Sequence, residues 1–370
     1  MLLLHFSEIM NVNNYCVIMA GGIGSRFWPM SKTAFPKQFH DILGVGKTLI
    51  QQTHDRFLPL CPTENILVVT NERYRDLVLE QLPTLKSEQV LCEPFMRNTA
   101  PCVAYAAHWI FEKNPAANIV VAPSDHLILN EAEFIKTIEL SFEQAEHGDL
   151  VTLGIKPTRP DTGYGYIQWE DDASVMGDRI KKVKTFTEKP DLELAKEFIA
   201  SGDFSWNSGI FIWKVGSILE AFQKYLPDME RAFAEGQGKY GTPEEQSFIN
   251  AMYSACENIS IDYGIMEKAK NVKVVLSDFG WSDLGTWGSL HGHLQHDDHR
   301  NGVVGNHVLT YNCSNTLVRV PKDKLVVLHG LNGYIVVDSG NTLLVCKMED
   351  EQKIKSFVND IKINKGEEWV

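Results

Sequence analysis

Short apolar runs alternate with stretches of helical spacing over most of the chain. Tyr15–Ala20 (YCVIMA) is a continuous apolar run ending in glycines, which predicts a buried strand. Asn65–Thr70 (NILVVT) and Asn118–Ala122 (NIVVA) predict two more, and Gln89–Leu91 a shorter one. Between them, Leu49–Phe57 and Glu72–Leu82 place apolar residues at helical spacing. Ala100–Lys113 does the same, with Pro101 near its start, where a missing N–H costs nothing. Strands alternating with helices predict an α/β fold with a mostly parallel sheet. Ligands of such sheets bind beyond the carboxyl ends of the strands, so motifs that follow a strand carry extra weight.

The rhythm changes at His291–Asn301 (HGHLQHDDHRN), a polar stretch that reads as a linker. Its histidines and aspartates fit a hydrated connection better than a zinc site. Residues 302–348 then show short Val/Leu-rich runs, such as Leu325–Leu328 and Tyr334–Val337, separated by turn clusters, which predicts a small β region. Glu349–Ile363 predicts an amphipathic helix. The expected organisation is an extension over 1–14, with Met10 as an alternative start, then one domain over 15–295 and a β-rich domain over 296–370.

Among the 370 residues, 48 are acidic and 35 are Lys or Arg, a net charge of −13, which carries no electrostatic footprint for wrapping nucleic acid. One locally basic pocket is still compatible with that balance. The seven cysteines are scattered, with no CxxC pair, and fit a reducing compartment, hence the cytoplasm. The leading MLLLHF is too short for a signal segment, and no apolar run of 18 residues occurs, so no membrane partner is expected.

The first strand leads directly into Ala20-Gly21-Gly22-Ile23-Gly24-Ser25-Arg26. Three glycines in four positions let backbone N–H groups converge on one point, which makes an anion cradle or else a plain tight turn. Arg26 and Lys37 add positive charge suited to a polyphosphate. Phe27 stands where the dinucleotide fingerprint needs its third glycine, and Asp41 stands where a P-loop ending in Gly46-Lys47-Thr48 needs its first. Asp125, in PSDH after the strand NIVVA, is either a helix cap or a ligand for a hard cation.

The longer string GGIGSRFWPMSKTAFPKQF, Gly21 to Phe39, resembles the N-terminal signature of the mannose-1-phosphate guanylyltransferases, GGxGTRxWPxSRxxxPKQF, in the sugar-nucleotidyltransferase superfamily. Ser25 replaces Thr and Lys32 replaces Arg, which keeps hydroxyl and charge. Six further strings resemble the same family: EPFMRNTAP, PSDH, TGYGYI, FTEKP, WNSGIF and GWSDLGTW. SIDYGIMEK does too, with Gly264 where alanine is usual.

The resemblance implies a Rossmann-like nucleotidyltransferase domain followed by a small β domain, in a short form without a fused isomerase domain. It implies that Gly21, Gly22, Gly24, Ser25, Arg26, Lys37, Asn98 and Thr99 bind the nucleotide, with Arg26 and Lys37 catalytic. Tyr164, Gly165, Glu188, Lys189, Asn207 and Asp262 would hold the sugar, Asp262 either orienting a lysine or capping a helix. Asp125 and Asp283 would bind Mg²⁺; His126 is expected to be structural. The implied reaction joins GTP and α-D-mannose 1-phosphate into GDP-mannose and pyrophosphate. The alternatives are a different sugar 1-phosphate, or a non-catalytic GDP-sugar sensor. Exposed strand edges in the β domain suggest a homodimer.

Overall fold

A computed structural model describes residues 10–170 and 179–370; residues 1–9 of the expected extension lie outside the described residues. The chain divides into two compact units. The first comprises residues 10–21, 54–123, 128–170 and 179–281; the second comprises 22–53, 124–127 and 282–370.

The first unit is built on nine strands: β1 (Asn14–Met19), β2 (Ile66–Asn71), β3 (Val90–Glu93), β4 (Asn118–Pro123), β5 (Leu150–Ile155), β6 (Gly165–Glu170), β7 (Ile180–Glu188), β8 (Phe204–Lys214) and β9 (Val272–Ser277). They form one sheet in the order β3-β2-β1-β4-β8-β5-β9-β7-β6. The strands β3, β2, β1 and β4 run parallel, as do β5 and β9. Strand β8 lies antiparallel to both β4 and β5 and joins the two parallel parts. Every residue of β2, and all but the last of β1 and β4, is buried, so these strands read as continuous apolar runs instead of alternating ones.

On one face, Val17, Leu67 and Val121 pack with Tyr105 and Ile110 of the helix Thr99–Lys113 and with Phe222 of the helix Val215–Tyr225. The helix expected over Glu72–Leu82 opens as a 3₁₀ turn, Glu72–Tyr74, and continues as an α-helix over Arg75–Gln81. No helix among the described residues is long and apolar enough to cross a membrane.

The second unit carries the β region anticipated after residue 302, and its pairing is parallel. Gly302–Val304, Leu317–Arg319 and Tyr334–Ser339 form one parallel set, closed by the antiparallel strand Thr342–Lys347. His307–Tyr311 and Leu325–His329 form a separate parallel pair. Through most of the region, strands adjacent in sequence belong to different sheets. Each pairs with the next strand but one, so the chain coils. Leu317, Ile335 and Val337 pack with Phe27, Trp28, Trp287 and Ile354 into the unit's main core. The terminal helix spans Ile354–Lys365, preceded by a 3₁₀ segment over the acidic run Met348–Lys353.

Gly154 sits where β5 and β8 lose register. A Cβ there would press on Ser205 Oγ and lie 2.6 Å from Val274 Cγ2. Overpacking of this kind costs about 1–3 kcal/mol. Gly154→Ala is therefore expected to lower stability by that amount, read by circular dichroism as a lower urea midpoint with an unchanged m-value.

Candidate active site

Strand β1 ends at Met19, and the chain leaves the first unit at Gly21. In the second unit, Gly24 adopts φ 72°, and a Cβ on it would lie 2.5 Å from Lys37 Cβ; glycine alone meets both conditions. The Ile23 carbonyl accepts the Lys37 N–H at 3.1 Å and also the Ser31 hydroxyl, which folds the loop back on itself. Ser25–Phe27 closes as a 3₁₀ turn.

The fold-back buries Lys37, which is 3% exposed. Its ammonium donates to Asp125 Oδ2 at 2.9 Å and to the Asp283 carbonyl at 2.9 Å, and lies 5.2 Å from the Phe27 ring centre. Burial raises the Asp125 carboxyl, but the charges of Lys37 and His126 outweigh it and hold the group below its ordinary range. Asp283 Oδ1 accepts the Gly285 N–H at 2.9 Å, and Leu284 between them takes a left-handed φ of 44°. Arg26 Nη1 reaches the Gly285 carbonyl at 3.4 Å, while Arg26 Nε is buried with no hydrogen-bond partner among the described residues. A buried orphan donor on a cation, beside an open glycine turn at Gly22, is what an anionic ligand would satisfy.

The remaining candidates belong to the first unit. Asn98 caps the helix Thr99–Lys113 from a left-handed φ of 66°, its Oδ1 accepting the Thr99 N–H at 2.9 Å. Thr99 Oγ1 accepts the Ile261 N–H at 2.9 Å. Tyr164 packs edge-on against Trp206 and Trp281, with ring centres 5.0 and 5.3 Å away. A Cβ on Gly165 would lie 2.5 Å from Glu188 Oε2, so the carboxylate occupies the space that glycine frees. Lys189 has φ 49° and holds Glu188 Oε1 at 2.7 Å. Asn207 Nδ2 donates to Asp262 Oδ1 at 2.7 Å. Asp262 thus engages an amide and opens the π-helical turn Asp262–Met266. Burial pushes its carboxyl up, against the pull of Asn207.

Of the six non-glycine residues with left-handed φ among the described residues, three are Asn98, Lys189 and Leu284, each at or beside a candidate. Such backbone costs roughly 1–2 kcal/mol per residue and concentrates at functional sites. Two residues emerge only from the structure. Arg159 stacks its guanidinium 5.3 Å from Trp206 and 5.7 Å from Tyr164. Glu93 is buried directly under Gly21, with Oε2 3.6 Å from a Cβ position there, and accepts the Tyr253 hydroxyl. It stands inside the EPFMRNTAP string, but nothing in the sequence signals its burial.

Residues 15–299 match the nucleotidyl transferase family. The chain belongs to that family. It is 37% identical over 366 residues to a mannose-1-phosphate guanylyltransferase from Salmonella montevideo, covering 96% of this chain and 75% of that protein. It is 36% identical over 356 residues to the Escherichia coli protein of the same name, covering 94% and 73%. A solved structure from Thermus thermophilus, described as a mannose-1-phosphate geranyltransferase, superposes with a TM-score of 0.84 at 31% identity over 95% of this chain and 100% of that one. Nucleotidyl transferases of this kind act on a nucleoside triphosphate and a sugar phosphate, typically with a divalent metal. Asp125, ionised, and Asp283, both with oxygen donors, are the hard ligands that a phosphate-bound divalent cation takes in ones and twos, so the residues present fit such an ion.

The Glu93 carboxyl is pushed up to about 7, chiefly by burial, with the Tyr253 hydrogen bond acting in the opposite sense. A raised folded-state value means the folded chain holds a proton that the unfolded chain has released. The Glu93 contribution to stability therefore falls as pH rises from about 4.5 to about 7 and is level above. Glu93→Gln should remove up to about 3 kcal/mol of that fall. Urea midpoints of both proteins between pH 5 and 8 check this: the variant's advantage should grow with pH and level off above 7.

Proposed function

We propose that this chain transfers GMP from GTP to α-D-mannose 1-phosphate, releasing pyrophosphate. The observation that carries the reading is the clustering of Arg26, Lys37, Asp125 and Asp283 around the glycine loop of the second unit, in a chain over a third identical to guanylyltransferases of that name. A sugar phosphate oxygen attacks the α-phosphorus of GTP. The new P–O bond forms as the bond to the β-phosphate oxygen breaks, and pyrophosphate leaves with that electron pair. The second pKa of a phosphate monoester is near 6, so the nucleophile is already ionised at neutral pH and no general base is required.

The protein's task is then to hold two anions together in line. The N–H groups of Gly21, Gly22, Gly24 and Ser25 would cradle the phosphates, and Arg26 would fill its orphan donor with a phosphate oxygen. Lys37 would stabilise charge on the departing pyrophosphate. Asp125 and Asp283 would hold Mg²⁺, which when bound offsets the negative charge of both substrates. Asn98 and Thr99 fit the base. Tyr164, Gly165, Glu188, Lys189, Asn207 and Asp262 fit the sugar, whose hydroxyls need acceptors and donors of the kind that Glu188 and Asn207 offer. The seven cysteines are free, and six are buried, in keeping with a cytoplasmic enzyme. The pair His307–Tyr311 and Leu325–His329 turns Leu309, Tyr311, Leu325 and Val327 outward, each about half exposed or more, which favours a homodimer.

Pyrophosphate release, measured with Mg²⁺ for the four ribonucleotides and dTTP against mannose, glucose and fucose 1-phosphates, tests the reading. A signal confined to GTP with mannose 1-phosphate is expected. A signal elsewhere moves the substrate, and GDP-mannose binding without turnover makes the chain a sensor. Lys37→Ala should lower kcat by about 10²–10³. The fold should persist, because Asp125, with 31% of its side chain exposed, can be solvated alone. Near-wild-type turnover would remove Lys37 from the mechanism. Asp283→Asn should raise the Mg²⁺ requirement or abolish activity.

A further inference from the structure

We propose that the segment 351–370 is a positioning element for the phosphate-binding loop, acting through Trp28. The proposal rests on the reading that Arg26 and Lys37 hold the phosphates. After the helix Ile354–Lys365 the chain makes a last turn, Glu367–Trp369, and Val370 enters the second unit's core beside Phe27, Trp28 and Trp287. Trp28, 6% exposed, donates its indole N–H to the Trp369 carbonyl at 2.8 Å. The Trp28 carbonyl accepts the indole N–H of Trp287 at 3.2 Å. The Phe27 and Trp287 rings stand 4.6 Å apart, and Phe27 also meets the Lys37 ammonium. A line of contacts therefore runs from Trp369 through Trp28, Trp287 and Phe27 to Lys37.

The same segment also holds a second string. The Glu351 carboxylate accepts the Gly288 N–H at 2.7 Å, and a Cβ on Gly288 would lie 2.9 Å from Glu351 Oε2. Gly288 follows closely on Asp283 and on Gly285, whose carbonyl holds Arg26. Both strings that present charge to the phosphates, Ser25–Trp28 and Asp283–Gly288, are thus tied to one piece of chain that carries no charged group of the site. In-line transfer is sensitive to displacements of about 1 Å, which can cost about 10²-fold in rate, so a brace of this kind is read out in turnover.

Trp28→Phe keeps an aromatic ring, though a smaller one, and deletes the donor; Val370→Asp unseats the segment. Each should lower kcat about 10- to 100-fold while KM for mannose 1-phosphate changes less than about 2-fold. Each should also weaken pyrophosphate binding by titration calorimetry, and speed amide exchange at Arg26–Trp28. Because unseating the segment already breaks the Trp28–Trp369 contact, the double variant should be no worse than the more damaged single one. Ile363→Ala, on the exposed side of the same helix at 74% exposure, should behave as wild type. Wild-type kcat and pyrophosphate affinity in Trp28→Phe, or losses that add in the double variant, would overturn the proposal. The calorimetric and exchange readouts need no turnover, so they decide it even if the guanylyl-transfer reading fails. Unfolding of Val370→Asp would leave Trp28→Phe as the deciding variant.

Discussion

The Lys37 ammonium is almost closed to water and has two oxygens at 2.9 Å, one from the Asp125 carboxylate and one from the Asp283 backbone. A charge in that position is expensive unless it is paired and hydrogen-bonded. The requirement draws together three strings that lie far apart in the sequence: the glycine loop, the turn after β4, and the turn at 283. Because the second partner is a backbone carbonyl, the shape of the Asp283–Gly285 turn matters as much as its side chains. The left-handed Leu284 and the Asp283–Gly285 hydrogen bond fix that shape. The Gly24 conformation follows from the same need, since the Lys37 side chain lies where a Cβ would be.

Much of this was legible in the sequence because the site is written in local strings. Buried parallel strands announce themselves as apolar runs, and the loops after β1 and β4 hold Gly24, Lys37 and Asp125 within short, recognisable motifs. What was not legible depends on distant partners. The strand rhythm after residue 302 identifies strands but not pairing; only the coiled path shows that Gly302–Val304 pairs with Leu317–Arg319 while His307–Tyr311, between them in sequence, pairs elsewhere. Glu93 looks like any acidic residue before a proline until Tyr253, 160 positions on, closes over it. The assignment of 22–53 to the same unit as 282–370 is of this kind too: Phe27 and Trp28 read as loop residues, yet they are core residues of a cluster whose other half lies in the last third of the chain.

Charge balance explains why such a site calls for a divalent metal. The chain carries a net charge of −13, and both substrates of a nucleotidyl transferase are polyanions. The second unit offers Arg26 and Lys37 against Asp125 and Asp283, so these four side chains sum to zero, and Lys37 is already committed to a carboxylate. A phosphate monoester alone brings roughly −1.5 to −2 charges, more than Arg26, whose partner here is a neutral carbonyl, can offset. Removing the aspartates would free the cations but would also remove the oxygens proposed to hold a metal. Keeping them leaves these four side chains neutral in sum, and a divalent ion held by the two carboxylates would supply the positive charge that offsets repulsion between the substrates.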